Sequence, residues 1–164
     1  MVVFDCLFEN TIMIIVGISH HCQDLHLQEK VALAGKAIEQ AYLDVISSDL
    51  ATEIAWLTTC GRTECIAVGK ACEIKRWYCA YFQLNQKEQE KVHVFEGQAA
   101  LEYLLTIVLG LNSKIIGELQ ILGQLKQAII QAQLYQTLGP KLSFWLPTIR
   151  SEAKKIRELS GVSV

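Results

Sequence analysis

Thr58-Thr59-Cys60-Gly61-Arg62-Thr63-Glu64-Cys65 places a thiol, a guanidinium and a carboxylate between two apolar runs, Glu53–Leu57 and Cys65–Val68. The thiol is the nucleophile of such a set. A free cysteine, with a pKa of about 8.5, is only a few per cent thiolate at neutral pH and needs help from a neighbour. Arg62 could lower that pKa, or its planar fork could bind a substrate carboxylate. Glu64 could equally pair with Arg62 as a surface salt bridge, worth about 0–1 kcal/mol. Cys60 would then be a bystander in a polar hairpin loop.

A second cluster is Gly110-Leu111-Asn112-Ser113, followed by Ile115–Gln124 with glycines at 117 and 123. Glycines inside an apolar helical region cost about 1 kcal/mol each, so the backbone there is bent or closely approached. Ser113, Glu118, Gln120 and Gln124 come within a few turns of one another. Tight helix–helix packing would explain the glycines equally well. The stretch is no phosphate loop, because it lacks G-x-x-x-x-G-K-[ST] and the strand-to-helix setting of G-x-G-x-x-G. His20, His21, Cys22 and His26 find no matching ligand set elsewhere, so no metal site is expected.

The elements that must position these residues follow from periodicity. Ile12–Ile18 is a near-continuous β-branched run, bounded by Gly17 and Ser19, and reads as a buried central strand. Leu27, Val31, Ala34, Ile38, Ala41 and Val45 recur at helical spacing and predict one amphipathic helix. Glu53–Thr59 and Thr63–Val68 are two strands around the Cys60–Arg62 turn, where Gly61 can supply positive φ. Ala71–Phe82 is a second helix, with Cys72 and Cys79 seven apart on one face as small core residues. Residues 85–91, "NQKEQEK", form a solvated connection before a strand at Val92–Phe95. The resulting order of strand, helix, strand, strand, helix, strand predicts an antiparallel sheet with helices on one face. Helices then follow at Gln98–Leu109, Gly117–Tyr135 and from Lys141 toward residue 160. The last holds five basic residues (Lys141, Arg150, Lys154, Lys155 and Arg157) against Glu152 and Glu158. They form either a solvated face or a patch for phosphates.

Composition bounds the function classes. The chain has 164 residues, is 51% hydrophobic and carries net charge −2, so no global positive field recruits nucleic acid. No cysteine pair makes C-x-x-C, and no secretory leader is evident, so a reduced, cytoplasmic protein is expected. The longest apolar run, "TIMIIVGI", is too short to span a bilayer.

Four stretches resemble the N-terminal catalytic domain of glutamyl-tRNA reductase. "TTCGRTE" is similar to that family's S-T-C-N-R-T-E motif, and "VGISH" (Val16–His20) to its opening strand and histidine. "GLNSKIIGELQILGQLKQA" (Gly110–Ala128) is similar to its G-L-D-S-x-x-x-G-E-x-Q-I-L-G-Q segment, and "SEAKKIRE" to the start of its long linking helix. The resemblance implies a ferredoxin-like α+β fold, with residues 1–11 as an extension, 12–138 as the catalytic domain and 139–164 as the start of the linker helix. It implies that Cys60 attacks the ester of glutamyl-tRNA, giving a thioester that NADPH reduces to glutamate-1-semialdehyde, a tetrapyrrole precursor, in the full enzyme. It also implies that Thr59, Gly61, Arg62, Ser113, Glu118, Leu119, Gln120 and Gln124 line the glutamyl pocket.

This sequence departs from the family at several of these positions. The asparagine after the cysteine is Gly61. The helix histidine near the reacting centre appears as Tyr103, whose pKa of about 10 makes it a hydrogen-bond donor but a poor base. Without a dinucleotide fingerprint the chain alone is expected to bind no NADPH. The partners implied are glutamyl-tRNA, a second copy through domains absent here, and the downstream glutamate-1-semialdehyde aminomutase. The alternative reading is a divergent stand-alone relative that binds charged tRNA or a protein without reducing anything.

Overall fold

The computed structural model describes residues 13–111 and 120–161. Four strands, β1 (Met13–Ser19), β2 (Ala51–Thr59), β3 (Arg62–Gly69) and β4 (His93–Glu96), form one sheet in the order β2-β3-β1-β4, with every neighbour antiparallel. This is the ferredoxin-like β-α-β-β-α-β arrangement that the sequence predicts. β1 and most of β3 are buried at every position, so both sheet faces are covered.

The helices are α1 (Leu25–Lys30), α2 (Lys36–Ser48), α3 (Ala71–Tyr81), α4 (Gln86–Glu90), α5 (Gly97–Val108), α6 (Gln120–Leu134) and α7 (Pro140–Leu159). On the α2–α3 face, Trp56 of β2 meets Trp77, Tyr78 and Phe82 of α3 and its following turn, and its backbone N–H donates to the Tyr42 hydroxyl of α2. The C-terminal helices close the opposite face, where Glu53 of β2 reaches the start of α7 and Glu64 of β3 reaches α5. α6 runs beside the edge strand β2. Just after it, the carbonyl of Thr137 accepts from Ile54 N at 2.9 Å, and the Thr137 hydroxyl donates to Ile54 O at 2.8 Å.

Three sequence expectations need correction. The single helix expected from Leu27 to Val45 is two, because the chain breaks at residues 31–35 and re-enters through Gly35 at φ 54°. The break shifts the pattern, burying Leu33 and leaving Ala34 exposed. Residues 86–90 are helical where a solvated connection was expected. Asn85 and Glu88 form a reciprocal capping box, and Glu88 binds Lys30 of α1 at 2.7 Å. Of the α3 cysteines, only Cys79 is buried, because the chain folds back and Leu84 N donates to its carbonyl; Cys72, two turns earlier on that face, stays exposed.

The start of α7 is capped from another element. Gly139 has no side chain to offer, and the buried Glu53 carboxylate instead accepts from Lys141 N at 3.1 Å and Leu142 N at 2.7 Å. A carboxylate on helix N-terminal amides contributes as an N-cap does. Glu53→Ala is therefore expected to cost about 2 kcal/mol in urea unfolding, with Glu53→Gln losing less.

Candidate active site

β2 and β3 pair up to Thr59 opposite Arg62, leaving Cys60 and Gly61 as the turn. The Thr59 hydroxyl closes it by accepting from Gly61 N at 3.2 Å. The expected positive φ at Gly61 is not used: among the described residues the glycines with positive φ are 35, 97, 110 and 161. A side-chain hydroxyl closes this turn where a left-handed residue was expected to. A Cβ on residue 61 would meet His20 Cβ at 3.4 Å, so there is room for a side chain. His20, in the 3-10 turn His20–Cys22 after β1, thus flanks the thiol loop. The Cys60 side chain is exposed, whereas Cys65 and Cys79 are buried and burial pushes both thiols up from their ordinary range.

Arg62 and Glu64 do pair, at 2.8 Å, but inside the protein, with side chains 4% and 0% exposed. Their partners come from two further elements. Tyr103 of α5 donates its hydroxyl proton to Glu64 Oε1 at 2.5 Å and accepts from Arg62 Nη1 at 2.8 Å. His93 of β4 meets the same Oε1 through Nε2 at 2.8 Å. Burial raises the Glu64 pKa, but the His93 bond and the Arg62 charge outweigh it and hold the carboxyl below its usual range. Tyr103 is pushed up by burial and by the Glu64 charge, so it stays a neutral donor. Glu64 Oε2 is buried with no partner among the described residues, so every donor loads one oxygen.

Gly17 makes this cluster possible. His93, Gly17 and Glu64 lie in one row across β4, β1 and β3. With no side chain on the middle strand, the carboxylate of β3 reaches across to the imidazole of β4. Neither Gly17 nor His93 is among the site residues expected from the sequence. A glycine inside a β-branched strand was the available signal, since it marks close approach by another group. The helix contributes a phenol at position 103, and the imidazole of the cluster enters from β4.

On the other face of β2, Trp56 and Thr58 border a cavity of about 500 Å³ whose far wall is α6, with Gln120, Gly123, Gln124, Gln127 and Gln131. The structure thus brings Gln120 and Gln124 beside the strand that ends at Thr59 and Cys60, while Arg62 and Tyr103 meet on the opposite face. Ser113, Glu118 and Leu119 lie outside the described residues. The basic helix face is smaller than expected. Arg157 continues the inward stripe Leu142, Leu146, Ile149, Ala153 and is buried, with Nη1 on Val108 O at 3.4 Å. Arg150 donates to Leu122 O, and Lys154 and Lys155 pair with Glu158 and Glu152.

The fold and the turn define an α+β domain that presents an exposed thiol at the end of its sheet, with a buried arginine–glutamate pair behind it. A family model described as glutamyl-tRNAGlu reductase, N-terminal domain, matches residues 16–160. Curated relatives named glutamyl-tRNA reductase include those of Neisseria gonorrhoeae (strain NCCP11945), 36% identical over 90% of this chain and 36% of its own length, and Saccharophagus degradans, 34% identical over 92% and 36%. The solved glutamyl-tRNA reductase from Methanopyrus kandleri superposes with a TM-score of 0.76 at 25% identity, over 92% of this chain and 35% of that one. The chain belongs to the glutamyl-tRNA reductase family, as its N-terminal domain, and spans about a third of the length of these relatives. Among the described residues no helix is long and apolar enough to cross a membrane.

Proposed function

We propose that this domain takes the glutamyl group from glutamyl-tRNA onto Cys60. The Cys60 thiolate attacks the ester carbonyl, the C–S bond forms, and the C–O bond to the terminal ribose breaks, the leaving hydroxyl taking a proton. The ester is already activated, so an exposed thiol on a fixed turn suffices. Arg62 serves the glutamyl side-chain carboxylate, with Thr59 and Gly61 beside the reacting carbonyl. Gln120 and Gln124, which reach the end of β2 from its other face, complete the pocket with Ser113, Glu118 and Leu119. Tyr103 acts on Arg62 and Glu64 and serves as no base. The observation that carries this reading is the exposed Cys60 in the turn Thr59–Arg62, set against the buried thiols of Cys65 and Cys79.

NADPH would reduce the thioester to the semialdehyde for tetrapyrrole synthesis in the full-length enzyme. The described residues do not fit that cofactor: their sheet is wholly antiparallel and offers no parallel β-α-β turn for a pyrophosphate. The chemistry of these residues therefore ends at the thioester. A cytoplasmic homodimer, with α7 leading to the remaining domains and the aminomutase receiving the product, completes the reading.

Incubating the 164-residue chain with radiolabelled glutamyl-tRNA tests it. A hydroxylamine-labile protein-bound label is expected on Cys60, falling at least about 10³-fold in Cys60→Ser and unchanged in Cys72→Ser, which removes the exposed thiol of α3. Full labelling of Cys60→Ser would overturn the assignment. A second reading, a domain that binds charged tRNA without acylation, draws support from the engagement of Arg62 Nη1 by Glu64 and Tyr103. It requires binding with no label at all.

A further inference from the structure

We propose that His93 is a positioning residue for recognition of the substrate carboxylate: by holding Glu64, it sets how much of the Arg62 charge is offered to the glutamyl side chain. The inference rests on the reading of Cys60 and Arg62 given above. Its basis is the arrangement around one oxygen. Glu64 Oε1 lies 2.8 Å from Arg62 Nη1, 2.8 Å from His93 Nε2 and 2.5 Å from the Tyr103 hydroxyl. Arginine has only donors, so the tyrosine oxygen that receives Arg62 Nη1 must give its single proton to Glu64. Arg62 keeps its charge at all working pH values and Tyr103 stays neutral. The imidazole is the one group type in the cluster whose ordinary range lies near neutrality.

With His93 neutral, Arg62 and Glu64 cancel. With His93 protonated, the cluster carries one net positive charge, and Glu64 is shared between two cations. A carboxylate approaching Arg62 then competes with a glutamate that has another charged partner. His93 also meets solvent: its side chain is 23% exposed, against 0% for Glu64. Among the described residues, the titratable or charged groups that meet it are Glu64 of β3 and Tyr103 of α5, with Arg62 one bond behind. β1 offers Gly17, without a side chain, and its own strand offers the ring of Phe95 at 5.3 Å.

The consequence is specificity for an anionic side chain that depends on pH through His93. The test compares the same tRNA charged with glutamate and with glutamine, so that contacts to the nucleic acid cancel in the ratio. Thioester formation by the 164-residue chain is followed at varied substrate concentration across about pH 5.5 to about 8.5, the interval in which imidazoles change charge. In the wild type, the ratio of half-saturating concentrations favouring glutamate is expected to shrink about tenfold as pH rises, since a 1.4 kcal/mol change in carboxylate binding is a factor of 10. In His93→Asn and His93→Gln, which keep a hydrogen-bond donor but never carry charge, the ratio is expected to stay flat at the wild-type high-pH value. Alkylation of Cys60 by iodoacetamide should follow the wild-type profile in both variants, separating carboxylate recognition from thiol reactivity. A wild-type ratio independent of pH would overturn the proposal even if neither variant folds. So would variants that retain the wild-type pH dependence. Absence of any thioester from the wild type would instead overturn the reading of Cys60, and this proposal with it.

Discussion

Replacing Arg62 by leucine is expected to destabilise the domain by about 3–5 kcal/mol at pH 8. Removing one partner of a buried ion pair strands the other charge without solvent, and that cost is several times the worth of an exposed pair. Glu64 has no exposed surface and, among the described residues, one oxygen already lacks a partner. Against a total stability of about 5–15 kcal/mol, the loss is a large fraction. The pH dependence gives the prediction its sign. In the wild type the Glu64 carboxyl is held below its usual range, so it contributes stability above the unfolded carboxylate range that is lost as pH falls through the folded value. Without Arg62, burial is opposed by one charge fewer and the folded value rises. The folded state then binds the extra proton, and the deficit of the variant shrinks as pH is lowered from 8 toward 5. The double substitution Arg62→Leu/Glu64→Leu is expected to recover most of the loss, because a buried pair exchanged for apolar groups is often neutral. Urea unfolding of the three proteins at pH 5.5 and 8 decides it. A loss below about 1 kcal/mol in the single variant, equal at both pH values, would mean the pair behaves as an exposed one.

Gly17→Ala is expected to cost about 3 kcal/mol or more, although alanine is the smallest side chain available. A Cβ there would lie 2.4 Å from the Thr63 carbonyl oxygen, 2.7 Å from Glu64 Cα and 2.8 Å from Glu64 Cγ. Two of those atoms are backbone of the neighbouring central strand, so the β1–β3 ladder itself must spread. Gly123→Ala on α6 is the matched control. Among the described residues nothing lies within 4 Å of its added carbon, and alanine inside a helix is favoured over glycine by about 1 kcal/mol. Thermal unfolding should move the two variants in opposite directions. Equal shifts would show that the row from His93 to Glu64 tolerates a methyl group.

The strands were legible because β1 is a run of isoleucine and valine around Gly17 and β3 carries Thr63, Ile66 and Val68 among small residues, and the Cys60 turn because its polar residues interrupt two apolar runs. The break between α1 and α2 was not, since Leu27, Val31, Ile38, Ala41 and Val45 keep helical spacing across it and all are buried. α4 escaped because its five residues bury nothing, and its stability comes from a capping box and a pair to Lys30. In the candidate site, the exposed thiol follows from local sequence. The burial of Arg62 does not, since it depends on Gly17, Tyr103 and His93, which reach it through strand register and helix docking. Likewise Arg157 reads as one more positive charge until its place four residues after Ala153 on the inward stripe of α7 is seen.

The bonds between Thr137 and Ile54 also bear on how this domain can be cut. β2 is an outer strand of the sheet, and its outward backbone groups at Ile54 are satisfied by the segment that follows α6. A fragment ending before Thr137 would retain all four strands yet expose that outer strand as a template for pairing with another chain, the usual route to aggregation through sheet edges. The smallest soluble piece must therefore include α6 and Thr137, and the Glu53 cap extends the requirement into the first turn of α7.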